Sequence, residues 1–151
     1  MKKLIIILTI LLLTINLSAC ITDVAKEEWK TITIGEISYD ISCGIDAEYL
    51  VKENSKNKNC VDFYKNGDRV TGGEFIIDEL PSERKLMIES SVLIEERRDD
   101  STIYCLYEYS QYGATSYFAI AKIENKNSFF IFETNGNLAE IEPLFAVIKI
   151  E

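Results

Sequence analysis

The sequence predicts an α+β domain: a mainly antiparallel sheet of five to seven strands carrying one or two packed helices, the last of them C-terminal. Three observations predict it. From Thr31 onward apolar residues recur mostly at every second position, the period of a half-buried strand. Turn signals at Gly35-Glu36, Asn66-Gly67, Asp99-Asp100, Gly113 and Asn125-Lys126-Asn127 cut that pattern into strand-length pieces. Past Asn137 the period changes, and Leu138, Ile141, Leu144, Phe145 and Ile148 fall on one face of a helix.

Ile32 and Ile34 share one parity, and Ile37, Tyr39, Ile41 and Cys43 share the other. A change of parity across Gly35-Glu36 means a bulge or a tight turn. Lys52 to Asn59, KENSKNKN, reads as a solvated loop. Cys60 to Lys65, Asn66-Gly67 and Asp68 to Thr71 form the strongest hairpin signal in the chain, because a tight two-residue turn favours Asn-Gly. Gly72-Gly73 is expected to break the pairing before a further apolar run from Glu74 to Leu80. Pro81-Ser82 looks like a helix start, with Glu83 in the first turn to complement the positive end of the dipole. A helix over Glu83 to Ser91 and a strand over Val92 to Arg98 follow, although Leu86, Ile88, Val92 and Ile94 also fit one long strand.

Ser101 to Tyr112 is apolar or aromatic on both faces, with Ile103, Cys105, Tyr107 and Tyr109 on one and Tyr104, Leu106 and Tyr112 on the other. That pattern predicts a central strand covered on both sides. Gly113 turns the chain, Ser116 to Glu124 returns, and Ser128 to Thr134 closes a meander. Asn135-Gly136-Asn137 caps the last helix, in which Pro143 either makes a kink or marks the first turn after a separate lead-in.

The first twenty residues have another logic. Lys2 and Lys3 precede a run from Leu4 to Ile15 that is apolar except for Thr9 and Thr14, and the run ends in Leu17-Ser18-Ala19-Cys20. Twelve residues are too few for a membrane span, which needs about 20. With Leu17 third from the cut, the site does not suit an ordinary secretory peptidase. The segment resembles the leader of a bacterial lipoprotein precursor. The resemblance implies cleavage between Ala19 and Cys20, a diacylglyceryl group on the Cys20 sulfur, and in many Gram-negative bacteria an acyl chain on its amine. Two or three chains anchor firmly where one is marginal. The expected organisation is a removed signal over 1–19, a lipidated Cys20 with a short tether to residue 30, and a single domain over 31–151. The expected location is the cell envelope, anchored to the inner or outer membrane and facing the periplasm or exterior. The tether places the domain close to the bilayer, with Trp29 as a core plug or an interfacial anchor.

Without Lys2 and Lys3 the chain has 14 basic against 25 acidic residues, a net charge of −11. Such a surface argues against nucleic acid or anionic headgroups as partners; a basic protein or a metal ion is electrostatically easier, and the plainer reading is that acidity keeps an exported protein soluble. The chain has no histidine, which removes Ser-His and Cys-His nucleophilic sites and most zinc sites. Asp78-Glu79, Glu95-Glu96 and Asp99-Asp100 are adjacent acidic pairs, but neighbours on a strand point to opposite faces. No phosphate-loop, dinucleotide or EF-hand motif occurs, and the expectation is a non-enzymatic chain with no metal and no cofactor beyond its lipid.

With Cys20 committed to lipid, Cys43, Cys60 and Cys105 remain. Cys43–Cys60 is the preferred disulfide, since it would close the most polar loop for roughly 3 kcal/mol, with Cys43–Cys105 as the alternative. Tyr104, Tyr107, Tyr109, Tyr112 and Tyr117 crowd one stretch and read as sheet packing or, if exposed, as a protein-binding surface.

The order of elements and the closing run SFFIFETNGNLAEIEPLFAVIKI are similar to the Mog1/PsbP-like fold of several small envelope lipoproteins. This likeness carries no site residues. The expected function is binding of another protein near the membrane, for example as an immunity-type inhibitor of a periplasmic toxin. An envelope assembly accessory and a carboxylate-dependent cell-wall hydrolase are the alternatives.

Overall fold

The computed structural model describes residues 27–44, 49–134 and 137–151. The leader, Cys20 and the first two residues of the Asn135-Gly136-Asn137 cap lie outside them. Among the described residues no helix is long and apolar enough to cross a membrane.

Strands β1 (Trp29–Ile34) and β2 (Ile37–Ser42) form a hairpin in which Ile34 faces Ile37. The parity change at Gly35-Glu36 is thus a turn and not a bulge. The last residues add β10 (Lys149–Ile150) to the other side of β2, making a three-stranded sheet. No periodicity in two residues announces a strand. It forms because the Glu151 amide and carbonyl bond to the backbone of Asp40, and because Tyr104 and Thr102 hydroxyls meet the amide and carbonyl of Ile150.

The main sheet contains β3 (Tyr49–Glu53), β4 (Cys60–Lys65), β5 (Asp68–Ile77), β6 (Val92–Arg98), β7 (Thr102–Gln111), β8 (Ala114–Ile123) and β9 (Ser128–Thr134). Its order is β3-β4-β5-β9-β8-β7-β6, with every pairing antiparallel. The fold is α+β, as expected, with ten strands divided between two sheets. The β4–β5 turn has positive φ at Asn66 and Gly67, as Asn-Gly predicts. Two expectations are corrected. Gly72-Gly73 does not interrupt pairing, because β5 runs through it between β4 and β9. The central strand is β9, and β7 lies one in from an edge. Strand β7 is nonetheless covered on both sides, as expected: a helix covers one face and the small sheet lies against the other.

That helix is α1 (Ser82–Glu89), whose Met87 and Ile88 pack with Leu80 on Phe118, Ile120 and Ile131. The second helix, α2 (Leu138–Val147), is capped by the Asn137 side chain, which accepts from the Ala139 amide. Pro143 lies within it, so there is no separate lead-in. Ile141, Leu144 and Phe145 face inward and Ile148 follows them into the core, the stripe read from the sequence. The inner face of the main sheet, α2 and the small sheet enclose one core with Tyr39, Phe63, Phe75, Phe130 and Phe132 buried. Gly73 makes that packing feasible: a Cβ there would sit 2.1 Å from Phe130 Cζ, so the ring occupies the space a side chain would need. Trp29 does not plug this core and is 37% exposed.

Candidate functional site

The register lays out the outer face of the main sheet in rows. One row runs Asp62, Gly72, Glu133, Phe118, Tyr107, and the next Cys60, Glu74, Ile131, Ile120, Cys105, Glu96. The β4–β5 half is therefore polar and the β8–β7 half apolar. Helix α1 covers the apolar half, and a groove of about 500 Å³ lies open over the polar half.

The groove is charged but internally paired. Asp62 receives Arg69 Nε at 2.7 Å and Asn54 Nδ2 at 2.9 Å, and Arg84 meets Glu133 at 3.2 Å. Gly72 leaves room for the first pair, since its Cβ would stand 2.5 Å from an Arg69 nitrogen. Cys60 opens into the groove with its thiol pushed up by burial and then by Glu74 and Asp62, so the thiolate that attacks electrophiles is disfavoured. Among the described residues no cluster of His, Cys, Asp or Glu is placed to hold a metal.

The edge beyond α1 is different in kind. Among the described residues strand β6 pairs with β7 alone, so its other side presents backbone donors and acceptors that no described strand matches. Val92, Leu93 and Ile94 are 66%, 47% and 42% exposed, and Leu86 on α1 is 61% exposed. A register shift between Leu93 and Glu95 leaves Ile94 without a cross-strand partner. Arg97 holds the strand down. Its guanidinium lies 3.7 Å from the Tyr104 ring centre and donates to the carbonyls of Phe145, at 3.1 Å, and Ile148 at the end of α2. The opposite edge, β3, is guarded by charge: Lys30 pairs with Glu53 and Lys52 lies over the Tyr64 ring.

The five tyrosines do not form one surface. Tyr104 is buried with its hydroxyl accepting from the Ile150 amide, and burial pushes its phenol up. Tyr107 stacks on Phe118 beside α1, where burial raises it to about 12, and Tyr109 packs in the same cluster. Tyr117 faces the main core and opposes Glu108. Tyr112 alone is open, 98% exposed in the β7–β8 turn with positive φ.

Among the described residues the expected Cys43–Cys60 bridge is not formed, and Cys43, Cys60 and Cys105 make no disulfide with one another. Cys43 follows β2 with its side chain in the main core, whereas Cys60 opens β4 with its side chain in the outer groove, so the main sheet stands between them. Cys105 lies on the outer face of β7, which also places it apart from Cys43. Burial pushes the Cys43 thiol up to about 12. The acidic pairs also stay separate. Glu79 binds Lys85, Glu95 and Glu96 lie on β6 after the register shift, and Asp99 is met by Arg97 at 3.9 Å. Cys20 and Ala19 lie outside the described residues.

Val92, Leu93 and Ile94 form a surface that the expected strand layout does not include. A signal existed, because three consecutive apolar residues on one strand cannot all face one core. No protein-family model, no curated protein and no solved structure matches the chain.

Proposed function

We propose that this chain is a lipid-anchored envelope protein that catalyses no reaction and binds another protein near the membrane through the β6 edge. The observation that carries the reading is the open strand itself: Val92, Leu93 and Ile94 exposed on an unpaired edge, with Leu86 beside them. Unpaired edges are normally blunted, because they template pairing with another chain. An exposed apolar edge that has kept its backbone groups free suits strand addition by a partner, with side-chain pockets supplying specificity. Glu95 and Glu96 continue the same strand, and the chain's acidity favours a basic partner. An immunity-type inhibitor of a toxin delivered to the periplasm fits these features, with Cys20 as the lipid attachment.

Two measurements test the reading. Palmitate labelling is expected on the parent and absent from Cys20→Ser; label persisting in that variant overturns the anchoring. Chemical crosslinking of the full chain in its native membrane, read by mass spectrometry, is expected to yield a defined protein adduct. Leu93→Glu should reduce that adduct about tenfold or more, the scale of one hot-spot residue, while Lys122→Glu leaves it unchanged. An adduct indifferent to Leu93→Glu removes the β6 edge as the binding surface.

A further inference from the structure

We infer that Trp29, Leu50 and the lysines of the β3–β4 loop form a bilayer-contact face that seats the β3 edge on the anionic membrane carrying the anchor. This rests on the anchoring of Cys20. The first observation is how Glu27, two residues before Trp29, is held. Glu27 is held by the Ser42 hydroxyl at 2.9 Å and by Lys149 at 3.0 Å, so the domain's attachment point is fixed against the small sheet. From Cys20 to Glu27 the chain reaches at most about 25 Å. Trp29 follows two residues later, so it lies within about 30 Å of the interface.

The second observation is what surrounds Trp29. It shares a cleft with Leu50, and the two are 37% and 51% exposed. Lys52, Lys56 and Lys58 are exposed on β3 and in the loop that follows it, while Lys30 on β1 is paired with Glu53 and Glu28 lines the cleft. An exposed indole and leucine, with Lys52 two residues from Leu50 on the same face of β3 and Lys56 and Lys58 in the loop beyond, match an interface whose acyl boundary is apolar and whose headgroups are negative. The net charge of the whole chain points the other way, but net charge is the wrong measure at a surface. Charges beyond a Debye length of about 8 Å are screened, so the near edge governs, and each lysine there strengthens contact about fivefold. Seating β3 on the bilayer has a consequence for β6. The two are opposite edges of a seven-stranded sheet, so β6 stands about 29 Å from β3 at the usual strand spacing, open to a soluble partner.

Trp29 is the only tryptophan, so its fluorescence reports the contact directly. The full chain is purified from membranes in detergent, checked by intact mass, and reconstituted into vesicles of brominated phosphatidylcholine with phosphatidylglycerol. Trp29 is expected to be quenched about twofold or more by the lipid bromines, as for an interfacial indole. The combined variant Lys52→Glu, Lys56→Glu, Lys58→Glu should lose most of that quenching, whereas Lys122→Glu should keep it. Unquenched emission from a sample whose mass carries the lipid overturns this inference and leaves the anchoring intact. Quenching that the triple variant retains overturns the role of the lysines. A mass without lipid overturns the inference together with the anchoring.

Discussion

Replacing Arg97 with alanine tests whether the β6 edge is held in place from beneath. The guanidinium donates to the Phe145 and Ile148 carbonyls, which the end of α2 leaves without helical partners, and covers the Tyr104 ring at 3.7 Å. Each charge-assisted bond contributes about 1.5 to 3 kcal/mol when desolvated, and the ring contact about 1 kcal/mol. The side chain is 24% exposed, so the lower ends apply, and the three contacts share one group. The expected loss is about 3 kcal/mol, a large part of the 5 to 15 kcal/mol typical of a domain. Urea unfolding followed by far-UV circular dichroism measures it, and hydrogen exchange should show β6 amides losing protection before those of β9. Arg97→Lys should recover less than half, because an ammonium cannot span two carbonyls as the planar fork does. An Arg97→Ala protein within about 0.5 kcal/mol of the parent would refute this account of the edge.

Gly73→Ala reverses the usual sign for a strand glycine: the new methyl collides with a Phe130 ring held by Phe63, Phe75 and Phe132, so stability should fall by about 2 kcal/mol. Adding Phe130→Leu should return part of it, and a double-mutant cycle without coupling would contradict the packing. Tyr104→Phe leaves the buried Ile150 amide without its 2.7 Å acceptor and should lower stability by about 1 to 3 kcal/mol, seen as a lower urea midpoint with unchanged slope. Alkaline pH should destabilise the protein through Cys43. Its thiol ionises near 9.0 when unfolded and near 12 when folded, so the unfolded state releases its proton first. Stability then declines between pH 9 and 12 by up to about 4 kcal/mol, and Cys43→Ala should flatten the onset of that limb in pH-resolved urea melts.

Much of the two sheets was legible because the signals are local. Asn66-Gly67 states its own turn, and the alternation of Ile37, Tyr39 and Ile41 states a strand with one buried face. Ile141, Leu144 and Phe145 show a helix stripe within eleven residues of Leu138 to Ile148. The failures fall where a partner distant in sequence decides. Gly72-Gly73 resembles a break until Phe130 is placed over it, and Tyr104 to Tyr112, covered on both faces, resembles the central strand until the sheet order puts β9 there. Cys43 and Cys60 looked like a loop closure because spacing says nothing about which side of a sheet each side chain takes.

By itself the sequence determined the class of fold, most strand and helix bounds, and the absence of any histidine chemistry, because periodicity, turn residues and composition act within a few positions. Only the tertiary structure decided strand order, the split into two sheets, the separation of the thiols and the exposure of Val92, Leu93 and Ile94. Those depend on which surfaces meet. A strand's own residues specify that it has an apolar face, and the rest of the chain specifies whether anything covers it.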